Sequence, residues 1–301
     1  YTNTTGICNS AVGLDALFFN TTGDNNVAFG ALALCKNTTA DNNTSVGFKS
    51  LRANTTGTSN TAMGCGALTS NTTASNNTAV GYQAGTAITT GYQNTALGQN
   101  ALDSTTTANH NTAIGATTLQ ANTTGYANTA VGYNALCTHT TGNSNTAVGD
   151  NTMRLTTTGT FNVAVGDNAL CANTTASENV AIGRNSLFAN STGSCNTAVG
   201  SLTLQNSTTA GLNTIIGYGS GCTITTGNEN AFLGYRAGYN VTSGMCNIMI
   251  GASSHIDSGG TNNAISMGYN VVSINNAITF GNASTDSRIA FGATSITAPS
   301  D

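Results

Sequence analysis

Residues 128–144 read Asn-Thr-Ala-Val-Gly-Tyr-Asn-Ala-Leu-Cys-Thr-His-Thr-Thr-Gly-Asn-Ser, and variants of this pattern fill most of the 301-residue chain. The pattern returns with a strict 17-residue period, without insertion or deletion, over positions 1–268. So regular a period means that each copy is one coil whose length is fixed by its neighbours. Helical repeats are longer and show an apolar period of about 3.6 residues, which these copies lack. The sequence therefore predicts an all-β fold, a parallel β-solenoid (β-roll) of about sixteen 17-residue coils.

Two positions of the repeat keep one residue type. One is glycine, and the residue four places before it is asparagine in each copy from Asn9 to Asn247. Asparagines stacked at the spacing of neighbouring strands, about 4.8 Å, can pass amide hydrogen bonds along a ladder. Glycine supplies a corner at positive φ or a bulge. We therefore predict a structural Gly column, which includes Gly30, Gly47, Gly64, Gly81, Gly98, Gly115, Gly132 and Gly149, and a structural Asn ladder, which includes Asn26, Asn43, Asn60, Asn77, Asn94, Asn111, Asn128 and Asn145.

Two apolar columns are the predicted core of each coil. The residue before the Gly is apolar, as in Val46 and Met63, and the fourth residue after the Gly is usually Leu, as in Leu51 and Leu68. Small residues, mostly Ala, lie two places before and three places after the Gly. Small side chains let facing strands or neighbouring chains approach closely. We therefore expect the two Ala columns to suit a threefold interface and the chain to be a homotrimer.

The composition excludes several classes of protein. Only 6% of the residues are charged, against about a quarter in typical globular proteins. With 39% hydrophobic residues and a net charge of −4, the chain does not have the composition of a disordered protein. Its seven Lys and Arg are spread thinly, so a nucleic-acid partner has no electrostatic basis. No apolar stretch approaches the roughly 18 residues that membrane insertion requires.

The repeat breaks near the C-terminus. The segments that begin at Asn263 and Asn276 carry one extra residue before their glycines and follow one another more closely than the 17-residue period allows. We therefore divide the chain into a 17-residue-repeat β-solenoid, residues 1–268, and an irregular C-terminal cap or transition segment, residues 269–301. The chain starts at Tyr1 with neither Met nor a signal-like segment, and we interpret it as a piece of a longer protein.

Two resemblances to known families rest on these motifs. The recurring Asn-Thr-Ala-Val-Gly, with Asn-Val-Ala-Ile-Gly at 179–183, resembles the head repeat of YadA-like trimeric autotransporter adhesins, and the 17-residue version is also similar to repeats of phage and giant-virus fibre proteins. This resemblance implies a left-handed parallel β-roll that assembles as a homotrimer. The stretch from Ala277-Ile-Thr-Phe-Gly-Asn-Ala-Ser284 to Ser295-Ile-Thr-Ala-Pro-Ser-Asp301 resembles the junction before an endosialidase-type intramolecular chaperone. Such a domain assembles fibre trimers and then cuts itself off near a Ser-Asp, which implies that this chain is the mature remainder.

The cysteines follow the columns of the repeat. Cys171 and Cys222 lie five places after a Gly, whereas Cys195 and Cys246 lie five places before one, so that the pairs Cys171–Cys195 and Cys222–Cys246 have the same spacing. The repetition predicts one disulfide cross-link made twice, within a chain or between chains, as an extracellular fibre favours. The alternative is isolated thiols that pack as small apolar residues. No Cys-x-x-Cys occurs and the three His are scattered, so no metal site is expected.

Asn-Thr-Thr triplets recur in one column and permit three interpretations. Each triplet is an N-glycosylation sequon, although stacked Asn and Thr would also satisfy a sheet surface without any sugar. Strand alternation predicts that the Asn and the second Thr share one face. Outward Thr on a flat solenoid face is typical of ice-binding proteins, but Ile88, Ile224 and Val241 interrupt this column. The sequon asparagines are Asn20, Asn37, Asn54, Asn71, Asn122 and Asn173.

The residue after each Gly varies most among the copies, which indicates exposure to solvent. Tyrosine is frequent there, and an exposed Tyr can contact a glycan or a host surface or simply decorate the surface. These tyrosines are Tyr82, Tyr133, Tyr218, Tyr235 and Tyr269.

These observations favour a structural role. No Ser/His/Asp constellation and no phosphate-binding loop occurs, so we assign no catalytic residue and no cofactor and do not expect an enzyme. We predict the shaft of an extracellular fibre or adhesin, such as a phage or viral tail fibre, that presents a receptor-binding surface outside the cell or on a virion. Its expected partners are copies of itself and a cell-surface glycan or receptor. The alternatives are an ice-binding β-solenoid and a subunit of a self-polymerising extracellular filament.

Overall fold

The computed structural model describes residues 2–292, and the chain divides into two compact units, residues 1–151 and 152–301. Strands and turns make up the described residues, and no helix occurs among them. Within each unit, strands of successive repeats pair in parallel, as Thr44 pairs with Thr61. The structure confirms the prediction of an all-β parallel solenoid of about sixteen turns with a period of about 17 residues.

The first unit contains one short strand in each coil. Neighbouring strands are in register, so residues of the same column lie side by side. In chain order the strands are β1 (Ser10–Val12), β2 (Val27–Phe29), β3 (Thr44–Val46), β4 (Thr61–Met63), β5 (Thr78–Val80), β6 (Thr95–Leu97), β7 (Thr112–Ile114), β8 (Thr129–Val131) and β9 (Thr146–Val148).

Most coils of the second unit also contain one short strand, but the strands at its C-terminal end differ in length. Its strands are β10 (Val163–Val165), β11 (Val180–Ile182), β12 (Thr197–Val199), β13 (Thr214–Ile216), β14 (Ala231–Leu233), β15 (Ile248–Ile250), β16 (His255–Ile256), β17 (Ala264–Tyr269), β18 (Val272–Ser273), β19 (Ala277–Asn282) and β20 (Thr285–Ala290). Strands β16 and β18 form a separate parallel pair.

The C-terminal segment contains regular strands where the sequence predicts an irregular cap. Strand β19 pairs in parallel with β17, with Ala277 opposite Ala264, so a shortened coil continues the sheet past residue 268. Strand β20 then turns back and pairs antiparallel with β19. Residues 293–301, which include part of the predicted chaperone junction, lie outside the described residues.

The core differs from the prediction in one of its two columns. The Leu column is buried as predicted, for example at Leu51 and Leu68. The residues before the Gly, such as Phe29 and Met63, are instead exposed, and this part of the prediction is wrong. Side chains alternate along a strand, and the Ala two places before the Gly already points inward, so its neighbour must point outward.

The Ala columns are a second correction. They are buried inside the coil, as at Ala79 and Ala84, and the larger Phe232, which fills the position two places before the Gly in another coil, is buried as well. A buried column cannot form a surface between chains, so the expectation of a threefold interface through Ala is wrong.

The Asn ladder is confirmed as a continuous hydrogen-bonded column. The Oδ1 of Asn94 accepts hydrogen bonds from the backbone N–H and the Nδ2 of Asn111, at 3.0 and 3.3 Å. The Nδ2 of Asn94 donates to the Oδ1 of Asn77 at 3.2 Å and to the carbonyl oxygen of Ala108 at 2.8 Å. Each Asn therefore joins three consecutive coils, and all eight predicted members of the ladder are buried.

The Gly column is confirmed as a column that only glycine can fill. Gly81 has a φ of +136°, which lies outside the regions that L-residues with a side chain readily adopt. A Cβ on Gly81 would lie 2.6 Å from the carbonyl oxygen and 2.7 Å from the carbonyl carbon of Gly98 in the next coil. Both the corner and the close approach of coils therefore require glycine.

Three further corners in a typical coil use residues that carry side chains. In the coil of Gly47, the residues Lys49, Leu51 and Ser59 have φ values of 59°, 46° and 57°. Left-handed conformations cost of order 1 kcal/mol for such residues, so the stacking of coils must impose them. These corners turn the chain within each 17-residue coil, so that only one short strand is left in it.

In three coils a branched apolar residue lies at another position of the repeat, and glycine takes the place of the usual Leu. The fourth residue after the Gly is then glycine instead of a bulky residue, usually Leu, and the seventh is Ile or Val instead of Asn, Thr, Ser or His. A Cβ on Gly85 would lie 3.0 Å from the Cδ1 of Ile88, so Ile88 fills the space that Leu fills elsewhere. Ile88 also lacks the side-chain amide that an Asn would donate to the coil before it. The buried Oδ1 of Asn71, in that preceding coil, therefore has no hydrogen-bond partner. The corresponding pairs are Gly85 with Ile88, Gly221 with Ile224, and Gly238 with Val241, and at Gly238 the ring of Phe232 fills the space of the missing side chain.

Candidate functional site

The outer face of the sheet carries a row of apolar side chains that we call the apolar ridge, the residue before the Gly in each coil. Members of the ridge are exposed or half-buried in both units, in contrast to ordinary core residues. Phe29 is 57% exposed, Leu97 43% and Leu233 51%. Scattered exposed apolar residues are normal on a protein surface, but a contiguous row in register marks an interaction surface.

The second outward column of the same face lies two residues before the ridge and is mostly Thr. In the second unit Ala231 replaces this Thr, and the ridge there contains an apolar depression of about 220 Å³. The depression is lined by Thr214, Ile216, Ala231, Phe232, Leu233, Ile248 and Ile250. The sheet face is thus uncharged and apolar at this place.

The structure places the predicted glycosylation sites inside the coil. All six sequon asparagines, Asn20, Asn37, Asn54, Asn71, Asn122 and Asn173, are 0% exposed. They form a second ladder, in which the Nδ2 of Asn37 donates to the Oδ1 of Asn20 at 2.8 Å and to the carbonyl oxygen of Ala40 at 2.9 Å. The folded coil therefore presents no acceptor nitrogen to a glycosyltransferase, which contradicts the glycosylation prediction and agrees with the ladder alternative.

Both threonines of each triplet point away from this buried Asn, so the predicted shared face of Asn and second Thr is wrong. The first Thr is mostly half-buried, and its hydroxyl donates to a carbonyl of the next coil, as Thr55 does to Thr72 at 3.1 Å. The second Thr forms an exposed column that we call the outer Thr column. Ile88, Ile224 and Val241 belong to the buried Asn column and do not interrupt it. The outer Thr column comprises Thr22, Thr39, Thr56, Thr73, Thr90, Thr107, Thr124 and Thr141 in the first unit and Thr158, Thr175, Thr192, Thr209 and Thr226 in the second.

The five predicted surface tyrosines are exposed, which confirms the outward position of the column after the Gly. Tyr82, Tyr133, Tyr218, Tyr235 and Tyr269 are all more than half open to solvent. Two of them belong to successive coils and stack: the ring centroids of Tyr218 and Tyr235 are 5.8 Å apart and their planes differ by 9°. A role in recognition stays a prediction.

A groove lies beside this tyrosine pair. It has a volume of about 270 Å³ and crosses three coils of the second unit. The lining residues are Leu202, Gln205, Tyr218, Gly219, Cys222, Tyr235 and Arg236. Gly219 sits between Leu202 and Arg236 in its column, and the missing side chain opens the groove.

All eight cysteines are free thiols, so the predicted cross-links are absent from the single chain. Cys171 is buried whereas Cys195 is exposed, and Cys222 is half-buried whereas Cys246 is exposed. The two columns lie at different corners of the coil, and the equal spacing of the two pairs along the sequence does not bring them together.

Two cysteines have a partner that the sequence prediction missed. The Sγ of Cys246 lies 3.2 Å from the Oε2 of Glu229, and the Sγ of Cys195 lies 3.7 Å from the Oε2 of Glu178. The hydrogen bond to Glu229 raises the pKa of the exposed Cys246 thiol. Each of the two glutamates of the chain lies one repeat before one of these cysteines, and this coincidence was the signal that could have revealed the pairs.

The remaining ionisable groups form no reactive cluster. Residues 2–292 contain no group of three or more His, Cys, Asp or Glu that could hold a metal ion. His139 occupies the buried Asn column, where its Nε2 contacts the carbonyl oxygen of Gly142 at 2.7 Å, and burial lowers the pKa of its imidazole. No helix among the described residues is long and apolar enough to span a bilayer.

The chain matches no protein-family model, and a comparison with curated proteins found no match.

Proposed function

We propose that the chain is the shaft of an extracellular fibre or adhesin that associates side by side as a homotrimer. The observation that supports this function best is the apolar ridge, which recurs from coil to coil and stays open to solvent in a single chain. Chains packed ridge to ridge would remove this surface from water, at roughly 25 cal/mol per Å² of apolar area. The threefold number rests on the resemblance of the repeat to trimeric adhesin and viral fibre repeats.

The internal ladders suit such a shaft. Buried Asn columns and backbone pairing join each coil to the coils on either side, so that the polar groups of the interior are largely satisfied without water. The surface outside the ridge is then free to vary. The exposed tyrosines after the Gly column are the residues that we propose for contact with a receptor or glycan.

The oligomer can be tested with a charged ridge. We expect the wild-type protein to have the native mass of three 30.1 kDa chains at micromolar concentration. We expect the double variant Met63→Asp/Leu97→Asp to become monomeric, because two buried carboxylates per chain would each cost several kcal/mol in the interface. Native mass spectrometry and analytical ultracentrifugation measure both states.

The matched control is Thr73→Asp/Thr107→Asp, which adds the same charges to the outer Thr column of the same two coils. This control is expected to stay trimeric. A monomeric wild type would refute the proposal. Open-ended species that grow with concentration would favour the self-polymerising filament instead.

Ice binding is the second candidate, because the outer Thr column is continuous in each unit. Regular rows of Thr hydroxyls and methyls on a rigid surface are the arrangement that orders water at an ice face. The hypothesis predicts thermal hysteresis and shaped ice crystals at micromolar protein, and loss of most of this activity in Thr107→Tyr. The Met63→Asp/Leu97→Asp variant, whose changes lie on the ridge, should keep it. Absence of ice shaping by the wild type would eliminate this candidate.

A further inference from the structure

We infer that the groove at Gly219 binds a single acidic sugar unit, such as a uronic acid residue. The inference deepens the proposed function by naming a ligand class, and it rests on that function only for the biological role of the ligand. The groove measures about 270 Å³, just below the range of about 300–1,000 Å³ for typical small-molecule sites. Its size therefore fits one ring better than an extended chain.

The walls combine the two kinds of surface that a sugar ring presents. The rings of Tyr218 and Tyr235 supply aromatic surface for the C–H groups of the sugar. The side-chain amide of Gln205, which also lines the groove, supplies a donor and an acceptor for hydroxyl groups. Neighbouring turns lack this combination, since Ser201 and Ala252 replace the tyrosine on either side of the pair.

Arg236 makes the groove selective for an acid. Its guanidinium carbon lies 5.4 Å from the ring centroid of Tyr239, which supports the side chain from outside the groove. Within residues 2–292 no carboxylate pairs with Arg236, so its charge is available to a ligand. Arginine binds carboxylates with two parallel hydrogen bonds, which favours a uronic acid over a neutral hexose.

The groove exists because Gly219 lacks a side chain, and not because the backbone demands glycine there. Gly219 has a φ of 60°, while Leu202 and Arg236 adopt 61° and 52° at the same position of the adjacent coils. A Cβ on Gly219 would meet only the Cγ of Arg236, at an ordinary 3.5 Å. A side chain at this position therefore fills the groove while the coil keeps its fold.

The test uses the full chain and two probes, methyl β-D-glucuronide and the neutral methyl β-D-glucoside. Saturation-transfer NMR and titration are expected to show binding of the glucuronide at millimolar concentration and binding of the glucoside weaker by at least about tenfold. Gly219→Asn should abolish binding, and Arg236→Gln should weaken glucuronide binding by at least about tenfold. Gly66→Asn, at the equivalent position of the first unit, is the matched control and should bind like the wild type.

Each outcome decides a separate point. No binding of glucuronide by the wild type overturns the inference, and unchanged binding in Gly219→Asn places the ligand elsewhere and overturns it too. Equal binding of the two probes overturns the acidic ligand class. The groove lies outside the apolar ridge, so the native mass of the same sample tests the shaft independently: a trimer without binding refutes only this inference, and a monomer that binds refutes only the trimer.

Discussion

The Gly81→Ala variant is expected to lose at least about 3 kcal/mol of stability, because the added methyl group meets both a close backbone contact and a forbidden φ. The new Cβ would lie 2.6 Å from the carbonyl oxygen of Gly98, and the φ of +136° is accessible only to glycine. No side chain can move aside to make room, because the atoms nearest to the new Cβ belong to the backbone of the next coil. Urea denaturation followed by far-UV circular dichroism measures the loss.

The matched control for this variant is Gly66→Ala in the preceding coil. Its Cβ would meet the Cγ of Gln83 at 3.5 Å and the Oγ1 of Thr69 at 3.6 Å, both ordinary contacts, and its φ of +75° is close to the left-handed region that other residues adopt in the same column. Its cost should be about 1 kcal/mol. Similar losses for the two variants would contradict the assignment of the Gly column as the close contact between coils.

The Asn94→Ala variant is expected to destabilise the protein by about 3 kcal/mol or more, because several buried groups lose their partner at once. The substitution leaves the backbone N–H of Asn111 and the carbonyl oxygen of Ala108 without this partner, and the side-chain amide of Asn111 loses one of its two acceptors and keeps only the carbonyl oxygen of Gly125. Each buried group that loses its hydrogen bond costs about 1–3 kcal/mol. Arrays of repeats need not unfold in one step, so hydrogen exchange should show the loss of protection first in the coils next to residue 94.

Thr95→Val is the neighbouring control for this prediction. Thr95 points outward, and Val163 and Val180 fill the same position in the second unit. The free energy of unfolding should change by no more than about 0.5 kcal/mol. If Asn94→Ala were equally mild, the amide ladder would be a consequence of stacking and not a cause of it.

The period and the two invariant columns could be predicted from sequence because they are properties of the stack itself. Residues one repeat apart must lie beside one another in a coil of fixed length, so a column that tolerates only Asn or only Gly reports directly on the contact between coils. The structure confirms the Asn94 ladder and the positive φ of Gly81 for this reason.

The direction of the side chains was harder to predict because both alternating positions of the strand are apolar. In Thr95-Ala96-Leu97, hydrophobicity favours an inward Leu, yet Ala96 is buried and Leu97 is exposed. The buried Asn94 decides the direction: because side chains alternate along the strand, Ala96 points inward and Leu97 outward, and the burial of Asn94 is known only from the structure. For this reason the predicted core column before the Gly is exposed and is the candidate interface. The Ala columns, which were expected at an interface, are buried inside the coil.

The groove and the glycines that replace a core Leu needed the three-dimensional coil. Gly219 and Gly85 look alike as interruptions of a pattern, but the first opens a surface groove and the second makes room for Ile88. The two glycines differ because Arg236, next to Gly219 in its column, is exposed, whereas Leu68 and Leu102, next to Gly85 in its column, are buried.

The constant one-repeat offset between bonded partners has a consequence for the gene. The amide and carbonyl groups that link coils find the same kinds of partner in the coil above as in the coil below, as Asn94 does with Asn77 and Asn111. Inside either unit, an in-frame deletion of one whole repeat would therefore rejoin matching surfaces. The number of stacked coils then follows from the number of repeats in the gene. Recombination between copies can therefore add or remove coils without requiring a new kind of contact.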